Sequence, residues 1–229
     1  TNWYLNGTSI TVLNMPFEDN NNSNSGTKDY SGYSNDGAEN GSITWNATGG
    51  YDGLGAYEFD GTDDYISMGD ILDSIWATPD QKFSISFWAN WKGSFGGYPV
   101  AKVFSTERSW AVETRNSGGS DYISFWYNGF SCNTDSYYQI IRGSTALSAN
   151  TWYHITIAYD GSIDSGGSDR VQFYVDGNLE SNTVVATAGS FPFTINNCAS
   201  KLAVGGGVKS DDTSQSNFNG TIDSVKIFD

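Results

Sequence analysis

The feature that most limits the fold is a period of two. Short runs alternate apolar and polar residues: Phe83-Ser-Ile-Ser-Phe-Trp-Ala-Asn-Trp91, Tyr122-Ile-Ser-Phe-Trp-Tyr127, His154-Ile-Thr-Ile-Ala-Tyr159, Val171-Gln-Phe-Tyr-Val175 and Ile222-Asp-Ser-Val-Lys-Ile-Phe228. Successive side chains of a strand point to opposite faces, so each run sets one face on a core and leaves the other free. Between the runs stand Asp52-Gly53, Asp60-Gly61, Asn128-Gly129, Asp160-Gly161, Asp176-Gly177 and Asn219-Gly220, dipeptides suited to tight turns because both residues tolerate positive φ. The segment Asp70–Ala77 reads as a helical turn, and the Asn/Ser/Gly-rich stretch Asn20–Gly41 as a long loop. Many short strands at this spacing predict an all-β sandwich or barrel. With 229 residues and no shift in composition, residues 1–229 read as one domain.

Charge removes whole classes of function. Eleven basic residues stand against 26 acidic ones, a net charge of −15. Binding to nucleic acid needs a basic patch that releases counterions, so that class is excluded. An anionic membrane surface is disfavoured for the same reason, and no run of about 18 apolar residues spans a bilayer. The chain opens Thr-Asn-Trp-Tyr, with no charged segment ahead of an apolar one. It therefore reads as a mature product or as a module excised from a larger extracellular protein. Cys132 and Cys198 lack a CxxC partner, which excludes a zinc knuckle; two buried thiols and one disulfide both fit.

Four segments together resemble the LamG-like jelly-roll family, relatives of laminin G modules within the concanavalin A-like superfamily. They are Met15-Pro-Phe-Glu-Asp with Asp29-Tyr-Ser-Gly-Tyr-Ser-Asn-Asp-Gly37; Tyr57-Glu-Phe-Asp-Gly-Thr-Asp-Asp-Tyr-Ile66; Phe83-Ser-Ile-Ser-Phe-Trp88; and Asn150-Thr-Trp-Tyr-His-Ile-Thr-Ile-Ala-Tyr-Asp160. Val171-Gln-Phe-Tyr-Val-Asp-Gly177 and Phe218-Asn-Gly-Thr-Ile-Asp-Ser-Val-Lys-Ile-Phe228 complete the pattern over nearly the whole chain. The resemblance implies a two-sheet antiparallel jelly-roll sandwich with one concave sheet and adjacent first and last strands. It also implies an extracellular, secreted or cell-surface setting, frequent calcium, and non-catalytic binding of glycan or protein.

The residues themselves suggest a cation site. Glu18 and Asp19, then Asp29, Ser31, Asn35 and Asp36, then Asp60, Asp63 and Asp64 are dense in hard oxygen donors. Ca²⁺ takes about 6–8 such oxygens from a loop able to wrap it. The spacing is not that of an EF-hand. The resemblance puts a structural cation where the first strand, the loop after Phe59 and the last strand meet. That adds Asp223 and the Asp60 and Gly61 carbonyls to the expected ligands.

The outward phases suggest a sugar platform. Along Phe83–Trp91, Ser84, Ser86, Trp88 and Asn90 oppose the apolar set; similar splits group Trp126 with Ser124 and Asn128, Tyr174 with Gln172 and Asp176, and Trp110 with Val112 and Thr114. If these phases share one sheet face, Trp88, Trp126, Tyr174 and Trp110 stack on sugar rings while neighbouring polar groups bind hydroxyls. Arg115 is a further candidate, although it and Glu113 lie on the phase opposite Trp110, so a bulge is needed to bring them together. The resemblance assigns Trp88, Trp152 and His154 a framework role as the alternative.

Catalysis finds no support in the inventory. A glycosidase wants two carboxylates flanking the scissile bond. The Glu-x-Asp-x-x-Glu string of related hydrolases is absent, as is the His/Tyr/Arg context of related lyases. Nucleophile elbow, phosphate loop and zinc-binding His pair are absent too, and His154 is the single histidine. The expectation is a calcium-stabilised carbohydrate-binding module that is not an enzyme, its partner a polysaccharide or glycan. An adhesive protein-binding module without a sugar site, or an atypical glycan-active enzyme, are the alternatives.

Overall fold

The computed structural model of the chain describes residues 2–19, 26–76, 80–93, 96–129, 131–163, 168–189 and 194–229. Two antiparallel sheets face each other as a jelly-roll sandwich. The nine-stranded sheet runs Thr183–Ala188, Tyr138–Leu147, Ser120–Asn128, Glu107–Ser117, Val100–Phe104, Leu202–Val204, Tyr65–Gly69, Gly37–Asn40, Gly26–Thr27. The eight-stranded sheet runs Asn178–Leu179, Val171–Val175, Trp152–Asp160, Lys82–Trp91, Asn219–Phe228, Ala56–Asp60, Thr44–Asn46, and Thr11–Met15 is a second partner of Asn219–Phe228. The first long strand and the last are therefore neighbours.

The alternation seen in the sequence becomes the core. On Lys82–Trp91 the side chains of Phe83, Ile85, Phe87, Ala89 and Trp91 point inward and are buried, while Ser84, Ser86, Trp88 and Asn90 are half-buried on the outer face. Facing them from the other sheet are Trp110, Val112, Ile123, Phe125 and Tyr127. Each such aliphatic or aromatic side chain contributes roughly 1.5–3 kcal/mol through burial, before chain entropy is set against it. Trp110 stands at the centre with no solvent exposure, its ring 6.0 Å from Phe83 and 5.9 Å from Phe125. Its expected place on a sugar platform is overturned: its phase is the one that faces the opposing sheet.

Local signals were realised unevenly. Asp176 and Gly177 both have positive φ and close the two-residue turn between Val175 and Asn178. Asn219-Gly220 makes no turn. It lies within Asn219–Phe228, where Gly220 admits the close approach of the Asn90 carbonyl. The expected helix shortens to Asp73–Trp76, and Ala77 lies outside the described residues. The expected loop Asn20–Gly41 contains two short strands, Gly26–Thr27 at the sheet edge and Gly37–Asn40 beside it, and its residues 20–25 lie outside the described residues. Cys132 and Cys198 form a disulfide across a 66-residue separation, with Cα atoms 5.6 Å apart.

Candidate functional site

The last strand, Asn219–Phe228, changes partner halfway. Residues 219–222 pair with Ala56–Asp60, whereas 225–228 pair with Thr11–Met15. Between them the register against Lys82–Trp91 slips, and Ser224 takes a φ of 54°. Such a bulge re-aims a side chain. Here Asp223 enters the gap between the two partner strands and is 1% exposed. The turn 46–55 and the Phe17-Glu18 segment close that gap. Gly55 is required where the chain passes under the Phe17 carbonyl, since a Cβ there would collide with it.

Two carboxylates, Asp223 and Glu18, line the gap, and Asp52 on the turn is near enough to add its charge. Asp223 accepts a hydrogen bond from the Tyr51 amide at 3.2 Å through Oδ2, while its Oδ1 is buried without a hydrogen-bond partner among the described residues. Glu18 accepts from the Gly55 amide at 3.2 Å. Burial, aided by the charges of Asp52 and Glu18, pushes the Asp223 carboxyl up to about 6, and burial with Asp52 and Asp19 raises Glu18. A Cβ on Gly50 would sit 2.8 Å from Asp223 Oδ2, 2.9 Å from the Gly55 carbonyl and 3.1 Å from the Leu54 carbonyl, so this spot is ringed by oxygens. Crowded carboxylates, carbonyls and an orphaned buried oxygen form a donor set that suits a hard cation such as Ca²⁺.

An aromatic pocket adjoins this cluster on the outer face of the eight-stranded sheet. Trp88 pairs with Asp223 across the strands and lies under Tyr51, the rings stacked with centroids 3.4 Å apart and planes 10° apart. Trp152 meets Tyr51 edge-on at 6.4 Å, and the His154 ring is 4.9 Å from Trp88. Asp176 completes the lining. Its Oδ1 accepts from the His154 amide at 2.8 Å, and His154 Nε2 meets Ser86 Oγ at 2.9 Å. Burial lowers the His154 pKa below its usual value. The pocket offers apolar ring surface for the C–H face of a sugar, with carboxylate and imidazole at its rim for hydroxyls.

The remaining expected site residues are dispersed. Asp29 is buried and its two oxygens accept four hydrogen bonds, from the amides of Asn14, Ser31 and Asn35 and the Ser31 hydroxyl, at 2.7–3.0 Å. It organises the loop around residues 29–36 and has no oxygen left for a cation. Asp36 accepts from the Asp29 amide at 2.8 Å, and Asp19 accepts from the Tyr30 hydroxyl at 3.2 Å. Asp60 belongs to a separate cluster with Asp63 and Asp64, whose carboxylate oxygens lie within 4.8 Å of one another. In that cluster Asp64 already accepts from the amides of Ser42 and Asp60. Of the six expected ligands, Glu18 and Asp223 share one site. Asp29→Asn should therefore lose about 1–2 kcal/mol of stability, measured by urea unfolding, with the response to Ca²⁺ unchanged.

The expected aromatic platform divides between two sheets. Trp88 and Tyr174 share the outer face of the eight-stranded sheet, but Tyr174 lies outside the pocket, its hydroxyl 3.4 Å from Gln172. Trp126 sits on the outer face of the nine-stranded sheet, in a groove with Arg115, Glu113 and Tyr98. The two faces are separated by the core, so these rings never form one surface. Sequence reasoning missed Tyr51 and Asp52 because Asp52-Gly53 was legible as a turn alone, whereas Asp176 was legible both as a turn residue and on the outward phase of Tyr174. The turns do form, and the same residues also carry site groups.

Residues 60–229 match a family described as the concanavalin A-like lectin/glucanases superfamily. No curated protein matches the chain. Among solved structures, the binding domain of botulinum neurotoxin DC in complex with SialylT is similar at a TM-score of 0.54 and 16% identity, over 96% of this chain and 47% of that one. The same domain in complex with rat synaptotagmin II gives 0.54 and 16%, over 96% and 48%. A Trypanosoma rangeli sialidase in complex with sialic acid gives 0.51 and 10%, over 97% and 32%. The chain thus spans about half the length of these toxin domains, and at such identities the likeness is one of fold.

Proposed function

Because the chain belongs to the laminin G-like family of the concanavalin A-like lectin/glucanases superfamily, we propose that it is a non-catalytic carbohydrate-binding module, stabilised by calcium and working outside the cell. The observation that carries this reading is the pocket of Tyr51, Trp88, Trp152, His154 and Asp176 set against the Asp223 cluster. Asp223, Glu18 and Asp52 would hold the ion, whose charge offsets the repulsion among them. The Tyr51 amide is bonded to Asp223, so ordering that carboxylate also orders the ring over Trp88. Proteins of this fold in complex with SialylT and sialic acid support sugars as the ligand class. The disulfide supports an oxidising, extracellular setting.

The reading is non-catalytic because the carboxylates in the groove of the other sheet are held by arginines. Glu113 is 2.6 Å from Arg115, and Asp135 is 3.1 Å from Arg108. The test is a glycan screen in millimolar Ca²⁺, repeated with Trp152→Ala. A glycan bound by the wild type should be held at least tenfold more weakly by the variant, since a stacked ring is worth roughly 1–3 kcal/mol. Equal affinity in the two proteins removes this pocket as the site. An exposed apolar cluster favours a second reading, docking of a protein partner: Trp3, Tyr4 and Leu5 are 63–64% exposed, and Asn2 ties them to the loop bearing Tyr30 and Tyr33.

A further inference from the structure

The outer face of the nine-stranded sheet carries an arrangement that the calcium cluster and aromatic pocket do not use. Three of the chain's four arginines, Arg108, Arg115 and Arg142, stand on it. Glu113, Ser124 and Arg142 lie opposite one another across three strands; Arg115 and Tyr122 occupy the next row, and Ala111, Trp126 and Ile140 the row on the other side. Arg115 gives its Nε to Glu113 at 2.6 Å and keeps a side chain 42% exposed. Arg142 lies over the Tyr122 ring, 4.4 Å from its centroid, and has no ion pair or hydrogen bond among the described residues; its Nε is buried. Ser124 is fully buried beside it, and its hydroxyl likewise has no partner.

We propose that Arg142, Ser124 and Arg115 form a second binding site, for the anionic substituent of an acidic sugar, with Trp126 and Tyr122 as the ring surfaces. The buried Nε of Arg142 and the buried Ser124 hydroxyl, both without a partner among the described residues, cost free energy unless a ligand draws them into contact. In a chain of net charge −15, carboxylates to pair with Arg142 are abundant, yet among the described residues none forms an ion pair with it. Glu113, in the same cross-strand row, is taken by Arg115, and burial raises its pKa. A guanidinium fork matches the oxygens of a carboxylate or a sulfate ester, and the hydroxyl supplies a further donor. The site rests on the sugar-binding reading but uses the opposite sheet, so the two can fail separately.

The experiment measures binding of polygalacturonate, dextran sulfate and a panel of neutral glycans, in Ca²⁺ and again in chelator. The proteins are the wild type, Arg142→Met, Arg115→Gln and Trp152→Ala. The wild type should bind at least one polyanion in both buffers. Arg142→Met should weaken that binding about tenfold or more, and Trp152→Ala should leave it unchanged. Which polyanion binds assigns the group as carboxylate or sulfate. Arg115→Gln, at an exposed side chain, repeats the test if Arg142→Met melts early. Polyanion binding that Arg142→Met and Arg115→Gln both retain, or that appears in Ca²⁺ alone, overturns the site. Neutral glycans bound without any polyanion overturn it and leave the sugar-binding reading standing; no binding at all overturns both.

Discussion

Chelation at pH 7.5 should lower the melting midpoint of the wild-type protein by about 5–10 °C and leave Asp223→Asn nearly unmoved. In chelator the variant should melt above the wild type. The physical reason is a charge with nowhere to go. Asp223 is 1% exposed, has one oxygen without a hydrogen-bond partner among the described residues, and feels Asp52 and Glu18. Its carboxyl is pushed from 3.8 to about 6, so the fold binds its proton more tightly than the unfolded chain does. Without an ion the resulting penalty is absent below pH 3.8 and grows as pH rises through 6, to on the order of 2–3 kcal/mol. Asparagine removes that charge. Ca²⁺ bound to the native state alone adds about 2.7 kcal/mol at 100 times its Kd, which a domain of this size reads as several degrees. Differential scanning calorimetry of both proteins, with Ca²⁺ and with chelator, decides it. An equal calcium response in wild type and variant would place the ion elsewhere, with the Asp60–Asp63–Asp64 cluster the next position to mutate.

Reduction of Cys132–Cys198 should cost about 4 kcal/mol. Closing a loop of 66 residues removes that much conformational freedom from the unfolded chain in the loop-entropy account. The bond joins two segments that also meet through a backbone hydrogen bond, the Asn196 amide donating to the Asn128 carbonyl at 2.9 Å. Cys132 accepts Arg108 N–H through its carbonyl, and Cys198 receives a hydroxyl-assisted anchor where its amide donates to Ser109 Oγ at 3.1 Å. Melting should fall by roughly 10 °C in reductant, and Cys132→Ser with Cys198→Ser should show the same loss without reductant. Equal midpoints in all three conditions would mean that the native contacts suffice and the bridge adds little.

The period-two runs alone determined that this chain is a two-faced all-β protein. Which residues face the core on Lys82–Trp91 or Val171–Val175 follows from alternation, because a strand has two faces and burial selects the apolar one. The acidic composition and the missing catalytic strings were likewise legible in one dimension. Alternation, however, does not say which sheet a strand joins. Trp88 and Trp126 share a phase pattern in the sequence and end up on opposite outer surfaces. Trp110, in an equally mixed run, turns inward. Nor does a cluster of acids in the sequence say which oxygens are already taken: Asp29 spends both on backbone amides and a hydroxyl, while Asp223 keeps one bare. Those outcomes depend on long-range pairing, on the slip in the last strand and on the turn that carries Tyr51 and Asp52 across it. Tertiary structure decided them because a hydrogen-bond donor 172 residues away along the chain, the Tyr51 amide, cannot be read from the neighbours of Asp223.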